Sequence, residues 1–559
     1  MEFLAELRDD GRAHDLLSLR PSVAVPAPPP PGTVVHVRVD GDAATIVKVL
    51  ADAGSARAEV YRVVGRYGLD PLHPPEVEAE ARALVAQPGI DDRALEDLGH
   101  LPFCTIDNED SRDLDQALCI EATPDDGHVV WYALADASHY VRPGTALFSE
   151  ALARGASYYL PGLSVPMLPR VLSEDLVSLN PEVDRRALVF RAALDRDGAL
   201  VDAAWIRARV RSRAKLSYRG VQDHYDTGSL RGRDVTPTLD HLQTVGRRLI
   251  ARAEARHVVQ YARHEVEVGF ADPAGRRFVA FEEPRTDCDR YNEQISLLVN
   301  SEGARLLARL ADEGRATPVF RVHPEPAPPD VRAFARKIER LVAAHDLPAS
   351  WRWSPEDEPL ATWLARLPLD AVGRAIQRQA LLLNQRSMFA AAPGLHYGVG
   401  APLYARFSSP MREIVGVFTH KEALEALAGA PEDPADEALR AAVIKAANAS
   451  KERQRQLTKA ANQLVIDAFL RPGLELEGVV MGLDPGKLYL QLDEPPLELK
   501  VYAADLGVPL ALEDNVIATF GARRLALGDR LRVRVAGHDS ERDRWRLVPI
   551  VDAGDGQPG

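Results

Sequence analysis

The sequence predicts a multidomain α+β protein, in which a central region of mixed strands and helices lies between a small N-terminal α/β module and a C-terminal β-barrel. The chain has 559 residues, enough for three or four domains of ordinary size. Its hydrophobic share of 46% and charged share of 27% are typical of a globular protein. Strand-like and helix-like patterns mix through the middle of the chain, and strand-like patterns follow residue 473.

Residues 1–95 are expected to form at most one small module. The segment Phe3–Leu17 has the pattern of a short helix, and the prolines of 26–31 predict a stiff linker. A hairpin around Asp40-Gly41-Asp42 and two helices should follow. Their bounds are Thr33–Val39 and Ala43–Leu50 for the strands, and Ala58–Tyr67 and Pro75–Val85 for the helices.

Residues 96–470 are expected to form the central domain, because strand and helix patterns alternate there. Its strand candidates are Val129–Leu134 and Leu188–Ala193. Its helix candidates are Asn292–Ala311, Val331–Ala344 and Ala438–Leu470.

The residues after Gly473 return to short strand-like runs separated by turn residues such as Asp484-Pro485-Gly486. The runs are Leu476–Met481, Lys487–Gln491, Leu497–Val501, Leu531–Ala536 and Trp545–Val551. This is the strand content of an OB-fold barrel. We assign residues 473–552 to that barrel and residues 553–559 to a flexible tail.

Composition restricts the class of protein. The net charge of −14 argues against a general affinity for nucleic acid, so any RNA path would have to be locally basic. Cys104, Cys119 and Cys288 form no CxxC pair, which argues against zinc and disulfides and favours a reducing compartment. No apolar run reaches the roughly 18–20 residues that span a bilayer, and the charged N-terminus is unlike a signal peptide. We therefore expect a cytoplasmic protein without a membrane partner.

The segment from Thr105 to Ala117 carries the strongest chemical signal. Five carboxylates follow an apolar entry here: Asp107, Glu109, Asp110, Asp113 and Asp115. Their mutual repulsion costs free energy unless a cation or backbone N–H groups compensate it. Divalent ions prefer such ligands, and in phosphodiester hydrolysis they activate water and neutralise charge. A solvated acidic loop is the simpler alternative, and a calcium loop fits badly because Arg112 stands where glycine is needed.

The same segment resembles the signature of the RNB family of exoribonucleases, which includes RNase II and RNase R. The resemblance continues in order from Ile106 to His420. The matching blocks are Ala135–Gly144, Arg154–Pro161, Val165–Pro169, Ser178–Pro181, Phe320–His323, Gln385–Met388, His396–Gly398 and Ser408–Arg412. The chain is therefore identified as a member of this family. The resemblance implies an RNB catalytic domain at 96–470 and an S1-type OB domain after it.

By position, the resemblance implies that Asp107, Asp113 and Asp115 are three of the family's four active-site aspartates. They would hold Mg²⁺, or Mn²⁺ in its place, against the 3′-terminal phosphodiester. Asp115 is the one most closely tied to the chemistry, and Asp113 is assigned to catalysis with it. The fourth metal position is Gln116, where the family usually has aspartate. Because an amide lacks the charge of a carboxylate, we expect weaker metal affinity or a preference for Mn²⁺, without loss of activity.

Arg412 and Tyr159 are the residues that the resemblance assigns to RNA. The guanidinium of Arg412 would bind the scissile phosphate and stabilise charge developing there. Tyr159, with Tyr158 as the alternative, would stack on the last nucleotide.

After Arg412 the chain departs from the family, since Glu413, Ile414 and Gly416 replace the usual basic, tyrosine and aspartate residues. A second basic contact is therefore absent or supplied elsewhere. The family's second stacking aromatic has no candidate here. The histidines of the matched blocks, His139, His323, His396 and His420, are expected to be buried and hydrogen-bonded.

The resemblance implies a processive hydrolytic 3′→5′ exoribonuclease that releases nucleoside 5′-monophosphates from single-stranded RNA. Such an enzyme acts in RNA decay as a monomer, without an obligate protein partner, and its narrow channel admits one strand. The lack of a Lys-rich C-terminal tail favours the RNase II type over the RNase R type. Typical relatives carry two cold-shock-type OB modules at the N-terminus. Residues 1–95 can hold only a shortened barrel or a winged-helix module, with the helix-containing form slightly favoured.

Two other functions agree with parts of the sequence. A catalytically weak RNA-binding protein on the RNB scaffold would explain Gln116 and the altered stretch at 413–416. A translation-associated OB-fold protein would explain only the residues after Gly473. That protein should lose all function when these residues are deleted, whereas the nuclease should retain chemistry on short oligomers.

Overall fold

The computed structural model describes residues 1–41, 43–259, 261, 266–431 and 433–550. The predicted tail, the last two residues of the predicted OB domain and Asp42 of the predicted hairpin lie outside these residues.

The N-terminal region begins with a five-stranded antiparallel sheet in the order β3-β2-β1-β4-β5. Its strands are β1 (Glu2–Leu7), β2 (Arg12–Asp15), β3 (Val23–Ala24), β4 (Val34–Asp40) and β5 (Ala43–Ala51). The helix predicted at Phe3–Leu17 is wrong, because this segment forms β1, β2 and the turn between them. Asp10-Gly11 is a hairpin signal: Gly11 has a φ of +73°, and Asp10 accepts a hydrogen bond from the backbone N–H of Arg12.

Two helices follow this sheet, α1 (Ala56–Arg66) and α2 (Pro75–Val85), close to their predicted bounds. Val63 and Val64 of α1 share a hydrophobic cluster with residues from distant parts of the chain, and α2 packs into the central core. Both helices therefore pack against the central domain, and all five strands precede them. This order of elements favours a shortened β module over a winged helix.

The central sheet positions the acidic segment. The elements of residues 96–217 are β6 (Glu96–Asp97), β7 (Phe103–Asp107), β8 (Gln116–Ala122), β9 (His128–Ala135), α3 (Ala146–Arg154), β10 (Tyr158–Leu160), β11 (Leu163–Val165), β12 (Asp184–Leu194) and β13 (Leu200–Ser217). Strands β7, β8, β9, β12 and β13 pair in a closed ring, because β12 pairs with both β9 and β13. Strand β6 extends the edge of β13, and β10 and β11 form a separate hairpin.

Alternate residues of the ring face two different cores. Phe103, Ala117 and Ala133 face one cluster, whereas Cys104 and Leu118 face the other. Both faces of the strands are therefore buried, which accounts for their nearly continuous hydrophobic sequences. The three cysteines are free and buried.

Helices and short strand pairs surround the ring. The helices are α4 (Tyr218–Thr227), α5 (Thr236–Ala255), α6 (Asp287–Asp312), α7 (Pro328–Ala344), α8 (Leu360–Ala365), α9 (Ala371–Leu381), α10 (Ile414–Leu427) and α11 (Asp436–Phe469). The pairs are β14 (Val266–Phe270) with β15 (Phe278–Glu282) and β16 (Phe320–Val322) with β17 (Met388–Ala390). Every helix and strand predicted for this region is present. In the described part of the chain, no helix is long and apolar enough to cross a membrane.

The C-terminal region consists of two small antiparallel sheets, an arrangement consistent with an OB-type domain. Its strands are β18 (Glu475–Asp484), β19 (Lys487–Leu492), β20 (Glu498–Tyr502), β21 (Leu510–Glu513), β22 (Ile517–Phe520), β23 (Arg523–Ala526), β24 (Arg530–Asp539) and β25 (Arg544–Pro549). The sheet orders are β20-β19-β18-β24-β25 and β21-β22-β23. The five predicted strands are present, and β21 to β23 are additional. The predicted multidomain α+β fold class is confirmed.

Helices α7 to α9 share one hydrophobic core with the C-terminal sheets. Phe334 and Trp363 from these helices belong to the same cluster as Val480, Leu490 and Val533. The segment 328–381, which the sequence places in the central domain, therefore packs on the C-terminal region.

Candidate active site

The loop between β7 and β8 carries the acidic segment, with Asp107 ending β7 and Gln116 beginning β8. Ser178 fixes residues 112–114 of this loop. Its hydroxyl accepts a hydrogen bond from the Leu114 N–H at 3.0 Å and donates one to the Arg112 carbonyl at 2.8 Å. The Leu114 side chain is buried. The loop is thus anchored on the side that carries Asp113 and Asp115, whereas Glu109 and Asp110 are exposed at its tip.

Asp115 is fully buried and joins the loop to a segment 297 residues away. Its Oδ1 accepts a hydrogen bond from the Met411 N–H at 2.9 Å, and its Oδ2 pairs with the Arg412 Nε at 2.5 Å. Burial raises the pKa of Asp115 to about 6, against the opposing effect of Arg412. In this structure Arg412 therefore supplies the positive charge that compensates the buried carboxylate.

Asp113 lies beside the stacking candidate. The Tyr159 hydroxyl donates a hydrogen bond to Asp113 Oδ2 at 3.2 Å, and Tyr159 is 47% exposed. Burial raises the pKa of Asp113 above its ordinary value. Tyr158 is instead fully buried and bonded to the carbonyl of Arg154. Of the two tyrosines, only Tyr159 thus presents its ring at the acidic loop.

Gln454 holds the backbone of Tyr159 in place. Its carboxamide accepts a hydrogen bond from the Tyr159 N–H at 3.3 Å and donates one to the Tyr159 carbonyl at 3.2 Å. The sequence carried no signal for this contact, because Gln454 lies on α11 and outside the matched blocks.

Asp107 and Gln116 are held by their own neighbours. Asp107 Oδ1 accepts hydrogen bonds from the Ser111 hydroxyl at 3.0 Å and from the Asn108 N–H at 2.8 Å. Gln116 Oε1 accepts a hydrogen bond from the hydroxyl of the buried Tyr132. The predicted fourth ligand atom is therefore already engaged by a protein donor.

The carboxylates of the acidic loop have the ligand chemistry that a divalent ion needs, but their oxygens are not spaced closely enough for one ion. Carboxylate oxygens are the ligands that Mg²⁺ prefers. However, Asp107, Asp113 and Asp115 do not bring one oxygen each within 4.8 Å of one another. Among the described residues that condition is met by a different group, Glu422, Glu425 and Asp436. The Lys421 ammonium already occupies that group, at 2.9, 2.9 and 2.7 Å from the three carboxylates.

Glu413, which departs from the family pattern, lies between cations. Its carboxylate is 3.3 Å from Arg406 Nε and 3.2 Å from Lys451 Nζ. Burial alone would raise the pKa of Glu413, but Arg406, Lys451 and Arg321 lower it to about 2. Basic side chains are thus present beside Arg412, although the chain position after Arg412 is acidic.

The histidines of the matched blocks differ in their bonding. His323 Nδ1 accepts a hydrogen bond from the Gly398 N–H, and His420 Nε2 bonds to the Phe407 carbonyl, as expected. His396 is buried as expected, but among the described residues neither of its ring nitrogens has a hydrogen-bond partner, so the expected hydrogen bonding is wrong for this residue. His139 is only half-buried.

Known proteins are similar to long parts of this sequence. A family model described as RNB domain matches residues 95–429. Ribonuclease R of Vibrio cholerae is 30% identical over 381 residues, which are 67% of this chain and 45% of that protein. Exoribonuclease 2 of Aeromonas hydrophila is 29% identical over 410 residues, which are 70% of this chain and 57% of that protein. The chain thus spans about half the length of these relatives.

Solved structures share the fold. RNase R of Mycoplasma genitalium in complex with ribose methylated single-stranded RNA has a TM-score of 0.81 at 18% identity, covering 98% of this chain and 90% of that chain. Yeast Ssd1, a pseudonuclease, has a TM-score of 0.61 at 15% identity, covering 92% and 67%. Because the RNB domain model matches more than half of its length, this chain belongs to the RNB domain family.

Proposed function

We propose that this protein is a hydrolytic 3′→5′ exoribonuclease that degrades single-stranded RNA. The observation that carries the proposal is the contact of Asp115 with both Met411 and Arg412. It joins the carboxylate loop to a guanidinium that can bind phosphate, and both lie beside the exposed ring of Tyr159. Carboxylates, an arginine and a stacking surface are the groups needed to bind and cleave a terminal nucleotide.

The proposed cofactor is Mg²⁺ or Mn²⁺, held by Asp107, Asp113 and Asp115 with a weak contribution from Gln116. Such an ion supplies an activated water and neutralises charge on the scissile phosphate. The high pKa of Asp115 supports this assignment, because a buried carboxylate without a cation is costly to ionise. The three carboxylates would have to draw together around the ion, since their oxygens are too far apart in the described arrangement.

Arg412 and Tyr159 would position the RNA end. The Arg412 Nε is used by Asp115, and the side chain is 29% exposed, so its terminal nitrogens are suited to a phosphate. Tyr159 would stack on the last base. Because stacking is insensitive to sequence, this contact would accept every base. Its hydroxyl bond to Asp113 ties the stacking surface to the carboxylate loop. Processive action, release of nucleoside 5′-monophosphates and a monomeric state are further parts of the proposal, and they rest on the family resemblance.

A second candidate is a catalytically weak RNA-binding protein with the same fold. The hydrogen bond from Tyr132 to Gln116 favours it, because this bond occupies the only predicted ligand that carries no charge. The fold likeness to Ssd1 shows that a protein described as a pseudonuclease can share this architecture.

Incubation of the purified chain with 5′-labelled oligo(A) separates the two candidates. The exoribonuclease should shorten the RNA from its 3′ end and release AMP in Mg²⁺ or Mn²⁺. RNA binding without release of AMP in either metal would favour the second candidate.

A further inference from the structure

A group of charged side chains lies beside Arg412 and is not used by the chemistry proposed above. It consists of Arg321, Arg406, Glu413 and Lys451, and we call it the Glu413 cluster. Arg406 and Lys451 contact the Glu413 carboxylate directly, at 3.3 and 3.2 Å. Arg321 acts on the same carboxylate from a greater distance, and its guanidinium donates a hydrogen bond to Ser387 at 3.0 Å.

The Glu413 cluster carries more positive than negative charge. Three cations face the one carboxylate of the cluster, and that carboxylate is ionised at neutral pH because its pKa lies at about 2. Burial and repulsion from neighbouring arginines lower the pKa of Lys451 and of Arg321, which indicates that these two cations are incompletely compensated. The pKa of Arg406 is instead raised by Glu413 against the effect of burial, so the carboxylate mainly compensates Arg406. Charges partly removed from water are costly without a counter-charge. An anion would therefore be stabilised here.

The cations are open to such an anion, whereas the carboxylate is deeper. The side chain of Lys451 is 36% exposed and that of Arg406 is 25% exposed, compared with 13% for Glu413. The two positive groups therefore lie closer to solvent than the carboxylate does. The outer part of the cluster can thus meet a ligand while Glu413 stays in contact with both cations.

The Glu413 cluster lies next to the proposed RNA path. Glu413 follows Arg412 directly and forms a β-bridge with Ala156, close to Tyr159. Lys451 precedes Gln454 by about one turn of α11, so the two side chains share a helix face. Gln454 in turn bonds to the backbone of Tyr159. The cluster therefore borders both of the groups proposed to hold the RNA end.

We propose that the Glu413 cluster is a second phosphate-binding subsite, in which Arg406 and Lys451 bind a backbone phosphodiester next to the scissile one. Glu413 is a positioning residue that fixes the two cations. This inference rests on the proposed function, because the RNA strand is the ligand. A released nucleoside 5′-monophosphate has the same phosphate chemistry and is the alternative source of the anion.

The test measures the salt dependence of RNA binding without turnover. Fluorescence anisotropy of labelled oligo(A) in EDTA is compared for the parent, Lys451→Gln and Lys451→Arg over a range of salt concentrations. Lys451→Gln should weaken binding about tenfold, and it should reduce the slope of log affinity against log salt by about 0.7, the value for one phosphate contact on a single strand. Lys451→Arg should retain the slope of the parent, which a purely structural role would not require.

Lys445→Gln is the matched control, because Lys445 is an exposed lysine that precedes Lys451 on the same helix. Its substitution should leave the slope unchanged. An unchanged slope in Lys451→Gln, or an equal change in Lys445→Gln, would overturn the subsite. Loss of AMP binding in Lys451→Gln with an unchanged RNA slope would assign the cluster to the product and also overturn it. Because this assay contains no metal, its failure is distinct from failure of the proposed exoribonuclease, which would appear as no release of AMP by the parent.

Discussion

At the residue scale, Gln116 connects the proposed metal site to the buried side chain of Tyr132. Its carboxamide oxygen accepts a hydrogen bond from Tyr132, whose hydroxyl also lies 2.8 Å from Ser296 Oγ. An uncharged oxygen that is already hydrogen-bonded is a weak ligand for Mg²⁺. The departure from aspartate at this position should therefore affect metal affinity more than the chemical step.

Gln116→Asp should lower the Mg²⁺ concentration that gives half-maximal RNA hydrolysis by roughly tenfold, the scale of effects seen for groups near a metal. Titration of the hydrolysis rate with Mg²⁺ and Mn²⁺ measures this. Tyr132→Phe is the companion variant, because it frees the carboxamide oxygen without adding charge and should give a smaller shift in the same direction. An unchanged metal requirement in Gln116→Asp would show that this position does not act on the metal.

Glu413→Gln tests the charge balance of the Glu413 cluster through stability. The carboxylate has a pKa of about 2 in the folded protein and an ordinary value of 4.5, so ionisation favours the folded state. This contribution, roughly 3 kcal/mol, is fully present above pH 4.5 and is lost as the pH falls towards 2. Urea unfolding should show the parent more stable than Glu413→Gln at pH 7, with a gap that shrinks below pH 4.5. A gap that is independent of pH would contradict the ion pairing.

From the sequence, a role could be assigned only to side chains that lie in the blocks matching the family. Arg412 is identified from the motif Ser408–Arg412. In the structure it pairs with Asp115, so the predicted phosphate-binding residue lies beside a predicted metal ligand. The choice between Tyr158 and Tyr159 required the structure, because adjacent strand residues face opposite sides and the sequence does not say which side is the core. The backbone N–H of Met411, which binds Asp115, could not be predicted because every residue except proline has one.

At the scale of elements, the segment 155–157 aligns the two halves of the proposed site. The Ser157 N–H donates a hydrogen bond to the Arg412 carbonyl at 2.9 Å, and the Ile414 N–H donates one to the Gly155 carbonyl at 3.0 Å. Gly155 ends α3 with a φ of +75°, and a Cβ there would lie 2.8 Å from the backbone oxygen of Ala446. Backbone oxygens cannot move away as a flexible side chain can, so this position requires glycine.

Gly155→Ala should therefore displace Arg412 relative to Tyr159 and lower kcat for RNA, by roughly 100-fold for a displacement near 1 Å. Gly144→Ala is the control, since Gly144 has a similar φ of +85° but no atom within 4 Å of an added Cβ. Steady-state kinetics on oligo(A) for both variants, with thermal unfolding measured in parallel, tests the assignment. Equal loss of kcat in both variants would show that backbone strain alone is responsible.

Long elements with regular hydrophobic patterns were predictable, and short strands were not. The sequence predicts a helix at Phe3–Leu17, but the turn at Asp10-Gly11 separates the strands β1 and β2 there. Strands β21 to β23 have only four residues each, too few to show an alternating pattern. Such segments depend on tertiary pairing, which local sequence does not encode.

At the scale of the whole molecule, the C-terminal sheets and helices α7 to α9 form one packing unit. Trp363 and Ile376 are fully buried in a cluster that includes Val480, Leu490 and Val533. The sequence placed a domain boundary at 470–473, because it shows where patterns change and not which surfaces pack together. Removal of the C-terminal sheets would expose the apolar side of these helices.

A chain truncated after residue 472 should therefore lose cooperative thermal unfolding and bind a hydrophobic dye, because large apolar side chains lose their packing partners. Calorimetry and dye fluorescence of the truncated and parent chains measure this. A truncated chain that unfolds cooperatively and binds no dye would contradict the shared core. Loss of nuclease activity on truncation would then reflect folding, so it could not by itself distinguish a nuclease from an OB-fold protein.

The most direct test of the proposed chemistry is the rate of oligo(A) hydrolysis by Asp115→Asn compared with the parent, in Mg²⁺ and at matched RNA occupancy. Asparagine keeps an oxygen for the Met411 N–H but removes the charge that would hold the metal. The parent should release AMP from the 3′ end, and Asp115→Asn should be slower by roughly 100-fold or more, with RNA affinity retained. Hydrolysis by Asp115→Asn at the rate of the parent would contradict the placement of the active site at this loop.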